Sequence, residues 1–414
     1  MYNIIKNCRI CKADISSYEL ILDLGVQALT GVFPRPGENI EKAPITVIRC
    51  PHCGLVQLLE TVEPTKMFGD TYGYASALNN SMVRHLEAVA SYCKSILDLK
   101  SGDIVVDIGS NDATYLKNFK DAGLYLLGMD PTAIKYLKNY HENGIQPYTN
   151  FFSSAAYNRI CDGKKAKLIT TLACFYDTND PVGFAKEVSD ILDDSGKWVI
   201  EAAYLPAIIE NTCFDGCCHE HLSYYSLLDI RNIADQSGLF IQDVEFNDTN
   251  GGSFRVTLGK DKPEEQKDYS IGDILDREQF NFEEDGYFSN FTKRVVQFKQ
   301  EFISLLTELK SQDRMIYGLG ASTKFNVILQ YCNIDTSLMY SILDVNDYKF
   351  YRTTPGTRIP IYSEIETLPL LKKDSVLVVG PWHFKQGLLK RQNIIKFRES
   401  VGKLVFPLPK LEII

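Results

Sequence analysis

A chain of 414 residues is too long for one hydrophobic core and points to two or three domains. Its 45% hydrophobic and 23% charged residues read as ordinary globular protein, and a formal charge of −9 with no Lys/Arg block excludes a polyanion-binding face, hence a nucleic-acid partner. No apolar run reaches the roughly 18–20 residues of a membrane span, and the start (Met1-Tyr2-Asn3-Ile4-Ile5-Lys6-Asn7) lacks a signal-peptide core, so a cytoplasmic protein with reduced cysteines and no membrane partner is expected.

The first stretch reads as short strands and turns around two cysteine pairs, Cys8-x2-Cys11 and Cys50-x2-Cys53. Four thiolates close a tetrahedral shell with no open position, so a structural Zn2+ is expected in place of a core that so short a segment cannot build. From Thr71 to Leu99, Val83, Leu86, Val89 and Leu97 recur at helical spacing. Tyr72-Gly73-Tyr74, at the front of that stretch, stands either to line a pocket or to staple the zinc module to the next domain.

An alternating α/β region comes next. Ile104-Val105-Val106 is a buried strand, Leu116 to Phe119 lie on a helix, and Tyr125 to Met129 form a second strand ending at Asp130. The loop Asp107-Ile108-Gly109-Ser110-Asn111-Asp112-Ala113-Thr114 has the form of a nucleoside-cofactor turn. Gly109 lets the backbone approach a ligand, while Asn111, Asp107 and Asp112 offer acceptors. Asp130 stands where a ribose diol is held. A single glycine in place of G-x-G-x-x-G leaves no cradle for a pyrophosphate and favours S-adenosylmethionine.

Lys167 to Leu172 is a further strand, and Asp180-Pro181 opens a helix with Phe184, Val188, Ile191 and Leu192 as its stripe. Gly196 ends a turn before a strand from Lys197 to Glu201. Ser226 caps a helix reaching Gly238, and Asn250-Gly251-Gly252 turns into Phe254-Arg255-Val256. Residues 262–285 are polar and acidic, a linker. Phe288, Phe291, Val295, Phe298, Phe302, Leu305 and Leu309 mark one long amphipathic helix. Met315 to Gly320 starts a second α/β unit, with later strands at Tyr340 to Asp344 and Val376 to Val379. Its turn, Tyr317 to Lys324, suits an anion or phosphate at a helix start.

Two imidazoles and a carboxylate crowd one short segment, His219-Glu220-His221, just after Cys213, Cys217 and Cys218. Imidazole is the natural general base at neutral pH. A second metal site built from His219, His221 and Cys217 or Cys218 is one alternative, and a purely structural cluster another.

With these residues assembled, the chain resembles the sugar C-methyltransferases that act on nucleotide-linked 4-ketodeoxysugars. The signposts keep their order nearly end to end: the four cysteines, Tyr72-Gly73-Tyr74, Asp107 to Asp112, and Met129-Asp130-Pro131. After them come Phe214-Asp215 through His219-Glu220-His221-Leu222-Ser223-Tyr224, Gly251-Gly252-Ser253-Phe254-Arg255, and Pro355-Gly356-Thr357 with Pro360-Ile361. The resemblance implies an α/β chain: a zinc-binding module at 1–68, a Rossmann-like S-adenosylmethionine methyltransferase domain at 69–262, a linker and long helix at 263–312, and a second Rossmann-like domain at 313–414. It implies that His221 takes the proton beside the sugar ketone, with Glu220 as a substrate ligand and Tyr72 in the catalytic set. It also implies that the enolate carbon then attacks the sulfonium methyl. Asp107, Gly109, Asn111, Asp112, Asp130 and Pro131 are expected around the cofactor. Tyr74, Cys218, His219, Asn250, Arg255 and Lys324 are expected on the substrate.

The chain departs from the family pattern at Cys218, where Tyr is usual, and at Cys174 and Asn250, where His is usual. It also has Ala113 for a Gly, a change that backbone with negative φ tolerates. An epimerase-like enolising enzyme and a non-catalytic zinc-ribbon interaction protein are the competing readings. Either a monomer or a homodimer is compatible with the sequence.

Overall fold

The computed structural model describes residues 2–68, 72–120, 122–262, 271–400 and 402–414. Its centre is a seven-stranded sheet. Across it the order is Phe240–Asn247, Ser253–Gly259, Leu192–Ala203, Ala166–Leu172, Ile104–Ile108, Tyr125–Met129 and Gln146–Tyr148. Ile104–Ile108 is buried at every position, as a parallel strand covered on both faces must be. Only Ser253–Gly259 runs against its neighbours. Starting from Ile104–Ile108 the chain winds one way to Tyr125–Met129 and then the other way to Ala166–Leu172. That reversal is the topological switch point where doubly wound sheets bind ligands.

Several local expectations shift. Thr71, the expected helix start, lies outside the described residues, and the helix runs Asn80–Ile96, capped by Asn79. Leu116–Phe119 is a 3-10 turn. Leu192 and Gly196 belong to the strand Leu192–Ala203, whose register slips between Leu192 and Lys197, so the expected turn is a bulge. Of the expected linker, 263–270 lie outside the described residues. Ile271–Glu283 is helical, and its buried Glu278 accepts hydrogen bonds from the backbone N–H of Leu227 and Leu228 (2.8 Å each) at the start of Leu227–Ser237. The long helix is Tyr287–Ser311, with Leu306 rather than Leu305 fully buried on its apolar face.

The C-terminal sheet has the order Ile361–Ser363, Ser341–Asp344, Ile316–Leu319, Val376–Val379, Lys403–Phe406 and Glu412–Ile413, parallel except for the last strand. It too is Rossmann-like, with its own switch point between Ile316–Leu319 and Val376–Val379.

The N-terminal module does not stand apart. Its sheet, Glu19–Ala28, Lys42–Arg49 and Val56–Leu58, gains a fourth strand, Ser223–Tyr224, from just beyond His219-Glu220-His221. Ile21, Leu22, Ile45 and Val47 pack into the core shared with the long helix and the C-terminal sheet, whereas Cys8, Ile10, Ile48 and Leu55 pack against the central sheet.

The sulfurs of Cys8, Cys11, Cys50 and Cys53 lie within 4.8 Å of one another, with Cys8–Cys53 at 3.5 Å and Cys11–Cys50 at 3.7 Å. Zinc–sulfur bonds of about 2.3 Å in a tetrahedron place the sulfurs about 3.8 Å apart. The donor set fits a closed structural zinc. Cys8→Ser is expected to lose zinc by atomic absorption and to melt at lower temperature. Activity that rises and falls with added zinc in a fully folded protein would contradict the structural role.

Candidate active site

The two switch points face each other across a cavity of about 500 Å³. From the central sheet come Gly109, Asn111, Asp130, Pro131 and Cys174; from the C-terminal sheet come Ser322, Thr323, Lys324, Pro381 and His383. Cys218, Glu220 and His221 lie in its wall, and Pro64 and Phe68 of the module reach its edge.

On the central-sheet side, Gly109 has φ 78° and a Cβ there would stand 2.7 Å from the Cys174 sulfur, so only glycine fits this turn. Asp130 accepts from the N–H of Asn111 (2.8 Å) and of Thr132 (2.6 Å), which fixes its carboxylate at the cavity. Asn111 Oδ1 takes the N–H of Ser76 (3.0 Å), tying Tyr74 and its neighbours to the same loop. Asp107 and Asp112 lie behind this lining. Asp107 accepts from the Thr170 hydroxyl (2.6 Å), and burial pushes its carboxyl up to about 8. Asp112 accepts from the N–H of Ala77 and Thr114. Ala113 has φ 65°, so the condition under which alanine replaces glycine freely is not met; the left-handed backbone costs about 1–2 kcal/mol here.

His221 is the best-defined reactive group. Its Nδ1 lies 2.8 Å from the Gly216 carbonyl, which can only accept, so Nδ1 carries the proton and Nε2 keeps its lone pair. Burial lowers its titration to about 4, despite the opposing influence of Glu220, so the ring is neutral at pH 7. Tyr176 packs on it with ring centres 4.3 Å apart. Glu220 accepts from the Thr30 hydroxyl (3.1 Å), and the approach needs Gly31, where a Cβ would meet Glu220 Oε1 at 2.8 Å and the Tyr72 ring at 3.2 Å. Burial first, then the Glu220 charge, raises the Tyr72 phenol well above its usual range, so it stays a donor. Lys324 donates to the Asn250 carbonyl (2.7 Å), joining two expected substrate residues, and Tyr74 sits half-exposed at the cavity.

Two expected substrate contacts are placed elsewhere. His219 is fully buried and turned to the module, its Nε2 donating to the Ala43 carbonyl (3.0 Å), because its neighbours Cys218 and Glu220 take the cavity side. Arg255 lies on the strand beside Glu201, paired with Glu201 (3.7 Å) and Glu245, and covers the Tyr92 ring. With His219 buried against Ala43 and His221 bonded to Gly216, the alternative of a second metal site does not assemble. Among the described residues the four cysteines form the one group that could hold a metal ion. The sequence reading missed His85, Glu201, Asp177, Thr249 and His383, which also line the cavity. A carboxylate closing the apolar run Trp198-Val199-Ile200 and a histidine beside the stripe Leu86–Val89 were the available signals.

Two family models match in order along the chain, "Putative zinc binding domain" over residues 8–68 and "C-methyltransferase C-terminal domain" over residues 248–409. Together they span more than half of it. The C-methyltransferase NovU of Streptomyces niveus is 25% identical over 417 residues, covering 99% of this chain and 97% of that protein. The chain is thus similar to a C-methyltransferase along its whole length. Solved structures align over less than half of it. The mitomycin 7-O-methyltransferase MmcR is 14% identical at TM-score 0.36, over 45% of this chain and 56% of its own. Magnesium protoporphyrin IX methyltransferase of Synechocystis PCC 6803 with bound SAM is 14% identical at TM-score 0.34, over 43% and 79%. At that likeness neither relative's chemistry transfers. No helix among the described residues is long and apolar enough to cross a membrane.

The lowered His221 titration has a measurable consequence. Between its unfolded value near 6.5 and about 4, the unfolded state binds the proton and the folded state does not. Its contribution to stability is therefore whole above pH 6.5 and is lost as pH falls through that window. His221→Gln is expected to flatten stability against pH there, and NMR titration should find the His221 ring unprotonated until close to pH 4.

Proposed function

We propose that this protein moves a methyl group from S-adenosylmethionine to the carbon beside the ketone of a nucleotide-linked 4-ketodeoxysugar, at C3. The observation that carries the reading is the neutral His221 with Nε2 free, in one cavity with the Asp130 loop. The full-length likeness to a C-methyltransferase supports carbon as the acceptor.

His221 Nε2 takes the proton on C3, which the adjacent ketone acidifies, and the bond pair enters the enolate. The donor, when bound, supplies an electrophilic methyl on a charged sulfur. Gly109, Asn111, Asp130 and Pro131 would hold it, with the Asp130 carboxylate accepting from the ribose hydroxyls. Asp107 and Asp112 act from behind by fixing the loop. Glu220 and Tyr72 hold sugar hydroxyls, with Cys218 and Asn250 beside them. The helix start at Ser322–Lys324 offers an ammonium and backbone N–H groups to the substrate's phosphates. The cavity walls, with Tyr176 packed on His221, align carbon, methyl and sulfur. The units 1–68, 69–262, 263–312 and 313–414 act together: the zinc module fixes the His219–His221 segment, the second carries the donor, and the last closes on the nucleotide.

Mass spectrometry of nucleotide-linked 4-ketodeoxysugars incubated with protein and S-adenosylmethionine in D2O tests this. Added methyl mass, abolished by His221→Gln with donor affinity within a few-fold, is the expected result. Deuterium uptake without methyl would make the protein an enolising enzyme of another outcome. Neither change across the panel would remove the ketosugar as substrate.

A further inference from the structure

A second group of proton-carrying side chains lines the same cavity and has no part in the reaction as described. His85, on Asn80–Ile96, points Nε2 at Glu201 Oε1 (2.5 Å), and its Nδ1 lies 3.4 Å from the Thr249 hydroxyl. All three residues line the cavity. The Glu201 side chain is 7% exposed and is held at its other oxygen by Asn247 Nδ2 (3.2 Å) and by Arg255 (3.7 Å). Thr249 is fixed through its N–H to Asn247 Oδ1 (2.9 Å) and its carbonyl to the Ser253 hydroxyl (2.8 Å). A carboxylate that accepts from Nε2 leaves Nδ1 as the ring atom that exchanges a proton, and Thr249 Oγ1 is the oxygen next to it. The order carboxylate, imidazole, hydroxyl is that of a proton relay, and its open end is a hydroxyl on the cavity wall.

We propose that Glu201, His85 and Thr249 form a relay that stabilises the enolate oxygen while His221 takes the proton from carbon. The proposal rests on the enolising reading of the cavity. With both His85 nitrogens protonated, the carbon–hydrogen pair becomes the carbon–carbon double bond as His221 accepts the proton, and the carbonyl π pair moves to oxygen. That oxygen takes the Thr249 proton, and Thr249 takes the one on His85 Nδ1. On methyl transfer the double-bond pair forms the bond to methyl, and the methyl–sulfur pair leaves with sulfur. The carbonyl reforms, and the proton returns through Thr249 to His85. Thr249 is the catalytic residue of the set; His85 and Glu201 act through it. Arg255, removed from the cavity by its pairing, keeps the Glu201 carboxylate in place.

The test measures α-proton exchange in D2O with S-adenosylhomocysteine present, methyl transfer with S-adenosylmethionine, and S-adenosylhomocysteine affinity by calorimetry. His85→Gln and Thr249→Val are expected to lower exchange and transfer together by about 10²-fold, with affinity within a few-fold, and Thr249→Ser is expected to restore most of both. Thr249→Val decides the matter if His85→Gln does not fold. Exchange at the wild-type rate in either folded variant would overturn the relay, as would losses that track weakened cofactor binding. A wild-type protein that neither exchanges nor transfers would remove the enolising reading and the relay with it; a wild type that does both while the variants match it removes the relay alone.

Discussion

Thr30 holds three parts of the chain at one point. Fully buried, it donates its hydroxyl to Glu220 (3.1 Å), while its carbonyl accepts from Asn326 Nδ2 (2.7 Å) on Thr323–Tyr331. A zinc-module residue therefore fixes both the carboxylate beside His221 and the helix that carries Lys324. Neighbouring bonds repeat the pattern, with Ala28 and Gln330 joined twice and Thr353 N–H donating to the Pro34 carbonyl. Unmade, each such buried bond leaves a polar group that costs about 1–3 kcal/mol. The cavity keeps its shape because separating the units breaks many of them at once.

The metal knuckle reaches the site by a second route. Arg9, between two of the cysteines, is buried and donates to the Leu58 carbonyl (2.5 Å), to Thr61 Oγ1 (2.7 Å) and to Asn179 Oδ1 (3.3 Å). Lys12 pairs with Asp180 (2.7 Å), the cap of Pro181–Ile191. Tyr176, three residues before Asn179, packs on His221 and accepts at its carbonyl from the Leu222 N–H (2.9 Å). A small module with little core of its own gains rigidity from the ion and passes it to the segment carrying His221.

Much of this was legible in the sequence because the local chemistry is local. Cysteine spacing gave the metal cluster, the Gly109 turn followed a buried strand, and the Ser226 cap and long apolar stripe of Tyr287–Ser311 named their helices. Side-chain direction was not local. His219 and His221 are two residues apart, yet one is bonded to Ala43 and the other faces the cavity. Arg255 is drawn off by Glu201 and Glu245, carboxylates on other strands whose position only the sheet register sets. His85 and Glu201, 116 positions apart, meet only through the packing of a helix on that sheet. The acidic composition of Ile271–Glu283 concealed a helix because its buried carboxylate, Glu278, has a partner that the sequence does not show.

The central claim is that a carbon, not an oxygen, receives the methyl. Incubation of the protein with a 4-ketodeoxysugar nucleotide and S-adenosylmethionine labelled with 13C in the methyl group tests it directly. The account predicts a product whose labelled methyl carbon is coupled to a ring carbon in the NMR spectrum and carries an aliphatic shift. A labelled carbon at a methoxy shift, with no carbon–carbon coupling, would contradict it.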